Sequence, residues 1–442
     1  MDVLRRDKIW AGWALVLLGC CAVISVFQVT SSYDFGYHRS IIVALAGGGY
    51  YHHHPGPLYY LSVALVNSIL EGVGVHAHVQ VAIKITQSLY LLVSLVLVDR
   101  ILALLNIRNG FSVLVIGCFF MVPGFLRLFF MVRPETFMLV IFLLVLWCEL
   151  KRESSRDPHY ELLIGLALAA GMIQKANFAV VVCWYYSYRA LSAGRSMERW
   201  RELIKLNIIP FVLLFALLET LHVRAGGMYF FQHQADGMPG YGRSAAPLSF
   251  LYSWSPTAMW EAPFYNEQRG SMLNILNVHL FGDYWRYDLA PRNLDRPTMM
   301  VVNRLGLMIS VLFGSLIVGA LAMGRKSVLR WTTYEHRLLT ILPLSLLFLY
   351  AVTFRQFEPG SANLTKWTYL PAVFPALAIV VCRLASRWSR ALRRVAGILM
   401  VLILLGSLFQ FQTFVFGHGA HRYLLGWLGQ SNSDTGALSS LH

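Results

Sequence analysis

Asp34 lies in Ser31-Ser32-Tyr33-Asp34-Phe35-Gly36-Tyr37-His38-Arg39, just beyond the first long apolar run. A carboxylate half-buried beside a bilayer can have the raised or well-positioned pKa that a general base needs. The same position also suits the N-cap of a helix starting near Tyr37. Further along stands Gly47-Gly48-Gly49-Tyr50-Tyr51-His52-His53-His54-Pro55-Gly56-Pro57-Leu58-Tyr59-Tyr60. Three histidines in a row invite a metal reading. Adjacent residues do not readily converge on one ion unless other ligands complete the shell, and the nearby candidate is Asp34. Hydrogen bonding of His53 or His54 to a phosphate or a hydroxyl is the expected use, with no metal and no cofactor. Pro55 and Pro57 fix the turn into the apolar helix that follows.

A second set of residues is marked by cost. Arg127, Arg133, Glu135, Lys175, Glu219, Arg355 and Lys366 sit in or at the ends of apolar runs. Charges at membrane depth are expensive and usually functional. Any one of them can snorkel to the interface. Together they fall towards one end of their helices, which implies a polar cavity opening at that leaflet. Asp283, in Phe281-Gly282-Asp283-Tyr284-Trp285, is either a turn aspartate or a group that binds acceptor hydroxyls.

The elements that must position these residues are set by composition. The chain has 442 residues, of which 57% are hydrophobic and only 13% charged. A soluble globule carries about a quarter charged residues, so this chain cannot cover itself with water-facing side chains. It reads as an all-α polytopic membrane protein. The net charge of +15 comes from short Lys/Arg runs between apolar segments, which excludes the clustered basic face of a nucleic-acid binder. Cys20, Cys21, Cys118, Cys148, Cys183 and Cys382 all lie within apolar runs, and no disulfide is expected.

Apolar runs near the ~20 residues needed to span fall at roughly 10–29, 79–100, 111–130, 134–150, 160–174, 176–190, 205–223, 302–323, 337–353, 367–385 and 395–416. The run 10–29 follows Arg5, Arg6 and Lys8 and reads as a retained first helix, not a signal peptide. The run 58–70 is too short to span comfortably and reads as an interfacial or re-entrant helix. If 58–70 does not cross, the basic loops around 100–108, 151–156, 189–205, 325–337 and 383–394 all fall on the N-terminal side, as cytoplasmic loops should. This gives about eleven spans, with outer segments at about 30–78, 224–301 and 354–366. The expected unit is a single domain over 1–430, followed by a polar, disordered tail at 431–442. The 224–301 segment is aromatic-rich and is expected to form a lid that contacts the acceptor.

Taken in order, these pieces resemble the polyprenyl-phosphate-sugar-dependent glycosyltransferases of the membrane GT-C fold, which include protein O-mannosyltransferases and lipid A aminoarabinose transferases. The resemblance, over about residues 1–385, rests on an acid after the first span, the Pro57-Leu58-Tyr59-Tyr60 helix entry, Arg133-Pro134-Glu135, Gln174-Lys175-Ala176-Asn177, and Lys366-Trp367-Thr368-Tyr369-Leu370-Pro371 with Pro375-Ala376-Leu377-Ala378. Two departures stand out: Phe35 follows Asp34 where the family often has a second acid, and His54 replaces the lysine before Pro-Pro-Leu.

The resemblance implies inverting transfer of a sugar from a polyprenyl phosphate to a hydroxyl acceptor (lipid, glycan or protein) at the outer face. The implied setting is a bacterial inner membrane, with no nucleic-acid partner. Asp34 is the implied base, and His54, Lys175, Arg355, Lys366 and Tyr369 the implied donor-phosphate contacts. His53, Arg133, Glu135 and Asp283 are further candidates. Two other classes stay open. An O-antigen-type polymerase or ligase would work through arginines such as Arg243, Arg286 and Arg292. A transporter would need mid-membrane polar sites and repeat symmetry, neither visible here.

Overall fold

A computed structural model describes residues 2–26, 35–49, 57–75, 79–155, 157–226, 248–264, 268, 270–282, 296–330, 333–356 and 370–416. Every regular element among them is helical. The chain runs through α1 (Asp2–Val26), α2 (Phe35–Ala46), α3 (Leu58–Gly72), α4 (Val79–Leu104), α5 (Gly110–Met121), α6 (Pro123–Phe130), α7 (Glu135–Ser155), α8 (His159–Gln174) and α9 (Ala179–Ala193). It continues through α10 (Met197–Leu203), α11 (Ile209–Arg224), α12 (Leu248–Tyr252), α13 (Pro256–Glu261), α14 (Met272–Phe281) and α15 (Arg296–Met323). The last elements are α16 (Arg325–Val328), α17 (Tyr334–Leu339), α18 (Ile341–Gln356), α19 (Val373–Ala385) and α20 (Arg390–Phe416).

Among the described residues, Val79–Leu104, Met197–Arg224, Pro297–Met323 and Arg390–Phe411 are long and apolar enough to cross a membrane. A fifth crossing arises if α5 and α6 count as one span broken by a 72° bend. Shorter apolar helices include Leu58–Gly72, His159–Gln174 and Val373–Ala385. This all-helical architecture is consistent with an integral membrane protein. All six cysteines are free, with Cys20, Cys118, Cys148 and Cys382 buried.

Where the apolar pattern alone suggests straight spans, local chemistry breaks them. Pro123 cannot donate to the preceding turn, so the helix stops at Met121, and Val122 takes an extended conformation before α6 starts. Met197–Arg224 contains a π-helical stretch at Ile204–Ile208. That extra residue turns Asn207 inward, where its amide donates to the Glu161 carbonyl (3.0 Å) and accepts from the Tyr186 hydroxyl (2.7 Å). Gly165 permits the approach, because a Cβ there would lie 2.5 Å from the Asn207 carbonyl oxygen.

The middle of the bundle is filled by rings. Phe119, Phe125, Phe313 and Phe374 bring α5, α6, α15 and α19 together, with centroid separations of 4.4 Å for Phe119–Phe313 and 5.2 Å for Phe125–Phe374. One end of the bundle is closed by ion pairs. Glu161 is fully buried and takes both Arg152 (3.1 Å) and Arg189 (3.1 Å), while Arg152 also pairs with Glu149 (2.8 Å). At the same end Glu335 receives Arg383 and Arg387, each at 2.9 Å, and Arg337 pairs with Glu153 at 2.9 Å. Asp99 accepts from the Trp13 indole (2.8 Å) and from Arg108 (2.6 Å), tying α1 to α4.

Removing one partner of such a buried set leaves charge without compensation. Glu161→Ala strands Arg189 and takes away one of the two carboxylates that Arg152 pairs with, and is expected to cost about 3–5 kcal/mol. A lowered midpoint in thermal unfolding of the detergent-purified protein checks this. An unchanged midpoint would mean the cluster contributes nothing to holding this end together.

Candidate functional site

The opposite end of the same helices holds a second polar set. Glu135 opens α7 and has no exposed surface. Its Oε1 accepts from Lys175 Nζ at 2.6 Å, and the charge of Arg133 acts on it as well. Arg133 is itself buried, whereas the Lys175 side chain keeps 28% of its surface exposed. The Lys175 ammonium carries three donors, one of which goes to Glu135.

Backbone interruptions put these groups together. After α6 the chain runs extended through Met131, and Arg133-Pro134-Glu135 starts α7. Arg133 also offers its carbonyl to the Thr136 hydroxyl (2.8 Å), which satisfies a group at the helix start. Lys175 interrupts α8 and α9 with an extended backbone (φ −165°, ψ 138°), followed by a 3-10 turn at Ala176–Phe178. The turn folds back tightly because Gly171 has no side chain: a Cβ there would lie 2.3 Å from the Phe178 ring. This geometry aims Lys175 off the axis of α8 and toward Glu135.

The short helix α3 joins the same set. Gln174 Oε1 accepts from the Tyr59 backbone N–H (3.0 Å), one of the unpaired donors at the start of α3. Gln87, buried on α4, donates to the Tyr59 hydroxyl (3.0 Å) and to the Met131 carbonyl. Tyr90 donates to Ser62 (2.6 Å), and the Tyr60 hydroxyl lies 2.8 Å from His38 Nδ1 on α2. Tyr59 and Tyr60 are fully buried and meet edge to face at 5.3 Å. The result is a polar and aromatic floor built from α2, α3, α4, α7 and α8.

Depth follows from helix rise. Glu135 and Glu149 lie on one helix, about 21 Å apart at ~1.5 Å per residue. That is less than the ~30 Å of a hydrocarbon core.

Of the residues expected to form a site, Arg133, Glu135 and Lys175 come together. Arg127 goes elsewhere: it is buried in α6 and donates to the Gly282 carbonyl at the end of α14 (2.9 Å). Glu219 lies on α11. Asp34, His53, His54, Asp283, Lys366 and Tyr369 lie outside the described residues, as does the side chain of Arg355 in the last turn of α18. Gln87, Gln174, Tyr59 and His38 carry the floor without having been singled out as site residues. Gln87 shares the first half of the Val79–Leu104 helix with Gln80, Lys84, Thr86 and Ser88, so nothing in the sequence marks it out. Among the described residues no group of three metal-ligating side chains occurs. No family model, curated protein or solved structure matches the chain.

A double-mutant cycle tests the central pair. Lys175→Met alone leaves a buried carboxylate short of its partner and is expected to cost about 3–5 kcal/mol. Adding Glu135→Gln should restore most of that loss, because the remaining groups are neutral. Additive losses, read from unfolding midpoints, would show that the two side chains do not depend on each other.

Proposed function

We propose that the protein is an inverting glycosyltransferase that takes a sugar from a polyprenyl phosphate and gives it to a hydroxyl acceptor at the outer face of a membrane. The observation that carries this reading is the meeting of three separate motif segments. Pro57–Tyr60 is joined to Gln174–Asn177 through Tyr59 N–H and Gln174, and Arg133–Glu135 is joined to it through Lys175. Segments far apart in sequence that together carry the resemblance thus lie side by side.

In this reading Lys175, held by Glu135 and flanked by Arg133, receives the donor phosphate, with His54, Arg355, Lys366 and Tyr369 as further contacts. When the glycosidic bond breaks, the leaving phosphate regains its second negative charge, and fixed cations at that oxygen lower the barrier. Asp34 takes the proton of the attacking hydroxyl, and the acceptor oxygen displaces the phosphate with inversion. A monophosphate leaving group clamped by cations calls for no metal. About eleven spans, with the N-terminus in the cytoplasm and the basic loops beside it, complete the reading. A bacterial inner membrane is the natural setting, and sugar and acceptor are left open because a fold does not name them.

Incubation of purified protein with a polyprenyl-phosphate sugar should release polyprenyl phosphate. Asp34→Asn should abolish release while donor affinity stays within roughly tenfold, about 1.4 kcal/mol. Lys175→Gln should weaken donor binding by about 1.5–3 kcal/mol, the worth of a charged hydrogen bond. Near-normal turnover by Asp34→Asn would return this residue to a capping role. Unchanged donor affinity in folded Lys175→Gln would remove the ammonium from the phosphate site. Topology is checked by a cysteine placed at Glu71, an exposed residue at the end of α3. It should react with an impermeant reagent from outside, and labelling only from the cytoplasm would contradict the arrangement.

A further inference from the structure

Helix α14 lies beside α15 in antiparallel register. Asn277 donates to Ser310 (3.1 Å), a Cβ on Gly306 would come within 1.9 Å of the Phe281 carbonyl oxygen, and one on Gly282 would lie 3.0 Å from Asn303 Oδ1. Steps along one helix are matched by reverse steps along the other. The depth of α14 can therefore be read from α15. Arg325 follows one end of α15, the end where Gly324 packs on Leu384 beside the Arg383–Glu335 pair. Arg304 lies about 31 Å away along the helix at ~1.5 Å per residue, close to the thickness of a hydrocarbon core. Its guanidinium rests on Trp260, 5.2 Å from the ring centroid, and its Nε donates to the Trp260 carbonyl (2.8 Å). Helix α20 gives the same boundary independently. Gln410, about 30 Å from Arg390 along the helix, donates to the Phe281 and Val302 carbonyls.

Ser310 then lies about 9 Å inside that boundary. Asn274, a turn before Asn277 on α14, lies deeper. Ser255 is hydrogen-bonded to Asn274 (3.1 Å) and Ser253 to Ser271 (2.5 Å), so the turn between α12 and α13 is carried inward with them. Irregular backbone at such depth must find its partners within the protein. Here it does. Buried Gln268 donates to the Ala258 (3.0 Å) and Ala262 (2.7 Å) carbonyls and accepts from Asn274 (2.8 Å). Internal amides capping short helices are what a segment deprived of water requires. The outward side is apolar and aromatic, with Leu248, Tyr252 and Trp254 each at least 60% exposed.

We propose that the described residues 248–264, 268 and 270–282 belong to a re-entrant wedge in the outer leaflet. Leu248, Tyr252 and Trp254 face lipid acyl chains, and the Trp260–Arg304 pair sits at headgroup level, where aromatic and basic anchors belong. The proposal rests on the membrane reading and not on glycosyl transfer. The rival use of such rings, stacking on carbohydrate in water, gives a different outcome in the same test.

The full chain, with Cys21→Ser and Cys183→Ser removing the cysteines that are not buried, is reconstituted in phosphatidylcholine nanodiscs with Tyr252→Cys, Trp254→Cys or Trp260→Cys carrying an environment-sensitive fluorophore. Labels at 252 and 254 should emit blue-shifted and be quenched by nitroxides on the acyl chains but not by an aqueous nitroxide. The label at 260 should respond best to a headgroup nitroxide. Two tip positions keep the test decisive if one variant does not fold. Aqueous quenching at both tip positions would overturn the wedge, as would protection that appears only when a soluble glycan is added.

Discussion

A carboxylate with no exposed surface needs a cation, and the contact between Glu135 and Lys175 is the constraint around which this end of the molecule is organised. To bring an ammonium to that depth, α8 must end early and its chain must turn aside. Lys175 accordingly takes an extended conformation instead of continuing the helix. Once the chain turns there, Gln174 is left facing α3, and its amide satisfies the first turn of that helix at Tyr59. The extended strand through Met131 gives a carbonyl to Gln87 and delivers Arg133 and Glu135 side by side. Gln174 and Gln87 thus tie the start of α3 to the segments that carry the charge pair.

The two charged layers divide the labour. At one end Glu161, Glu149 and Glu335 are matched by five arginine contacts, and the exposed remainder is basic. That closes the bundle with charge already satisfied. At the other end Lys175 pairs with buried Glu135 while part of its side chain stays exposed. Elsewhere in the bundle the Phe119–Phe125–Phe313–Phe374 stack joins α5, α6, α15 and α19 with rings alone.

Much of the helical architecture is legible in the sequence because hydropathy reports environment directly. The apolar runs at 79–100, 302–323 and 395–416 appear as α4, α15 and α20. Hydropathy does not report direction. The run 111–130 reads as one straight span, yet Pro123 splits it with a 72° bend, since an apolar composition looks the same along or across the bundle. The inward turn of Asn207 depends on a π-helical stretch that leaves no periodic trace. Arg133, Glu135 and Lys175 are legible as a set because charge at membrane depth is costly enough to stand out. Gln87 and Tyr59 are not, because a single amide or phenol in an apolar helix carries too small a cost to separate from packing. Arg127, buried in α6, donates to the carbonyl end of α14 at Gly282 (2.9 Å).

The central claim is that the Glu135–Lys175 end of the bundle holds the phosphate of a membrane lipid. The most direct measurement is photo-crosslinking with a polyprenyl phosphate carrying a diazirine on the isoprene unit next to the phosphate, followed by peptide mapping. The account predicts adducts on 57–62, 131–136 and 174–178, competed away by unlabelled polyprenyl phosphate. Adducts confined to the Glu161–Glu335 end, or spread over the lipid-facing surface without competition, would contradict it.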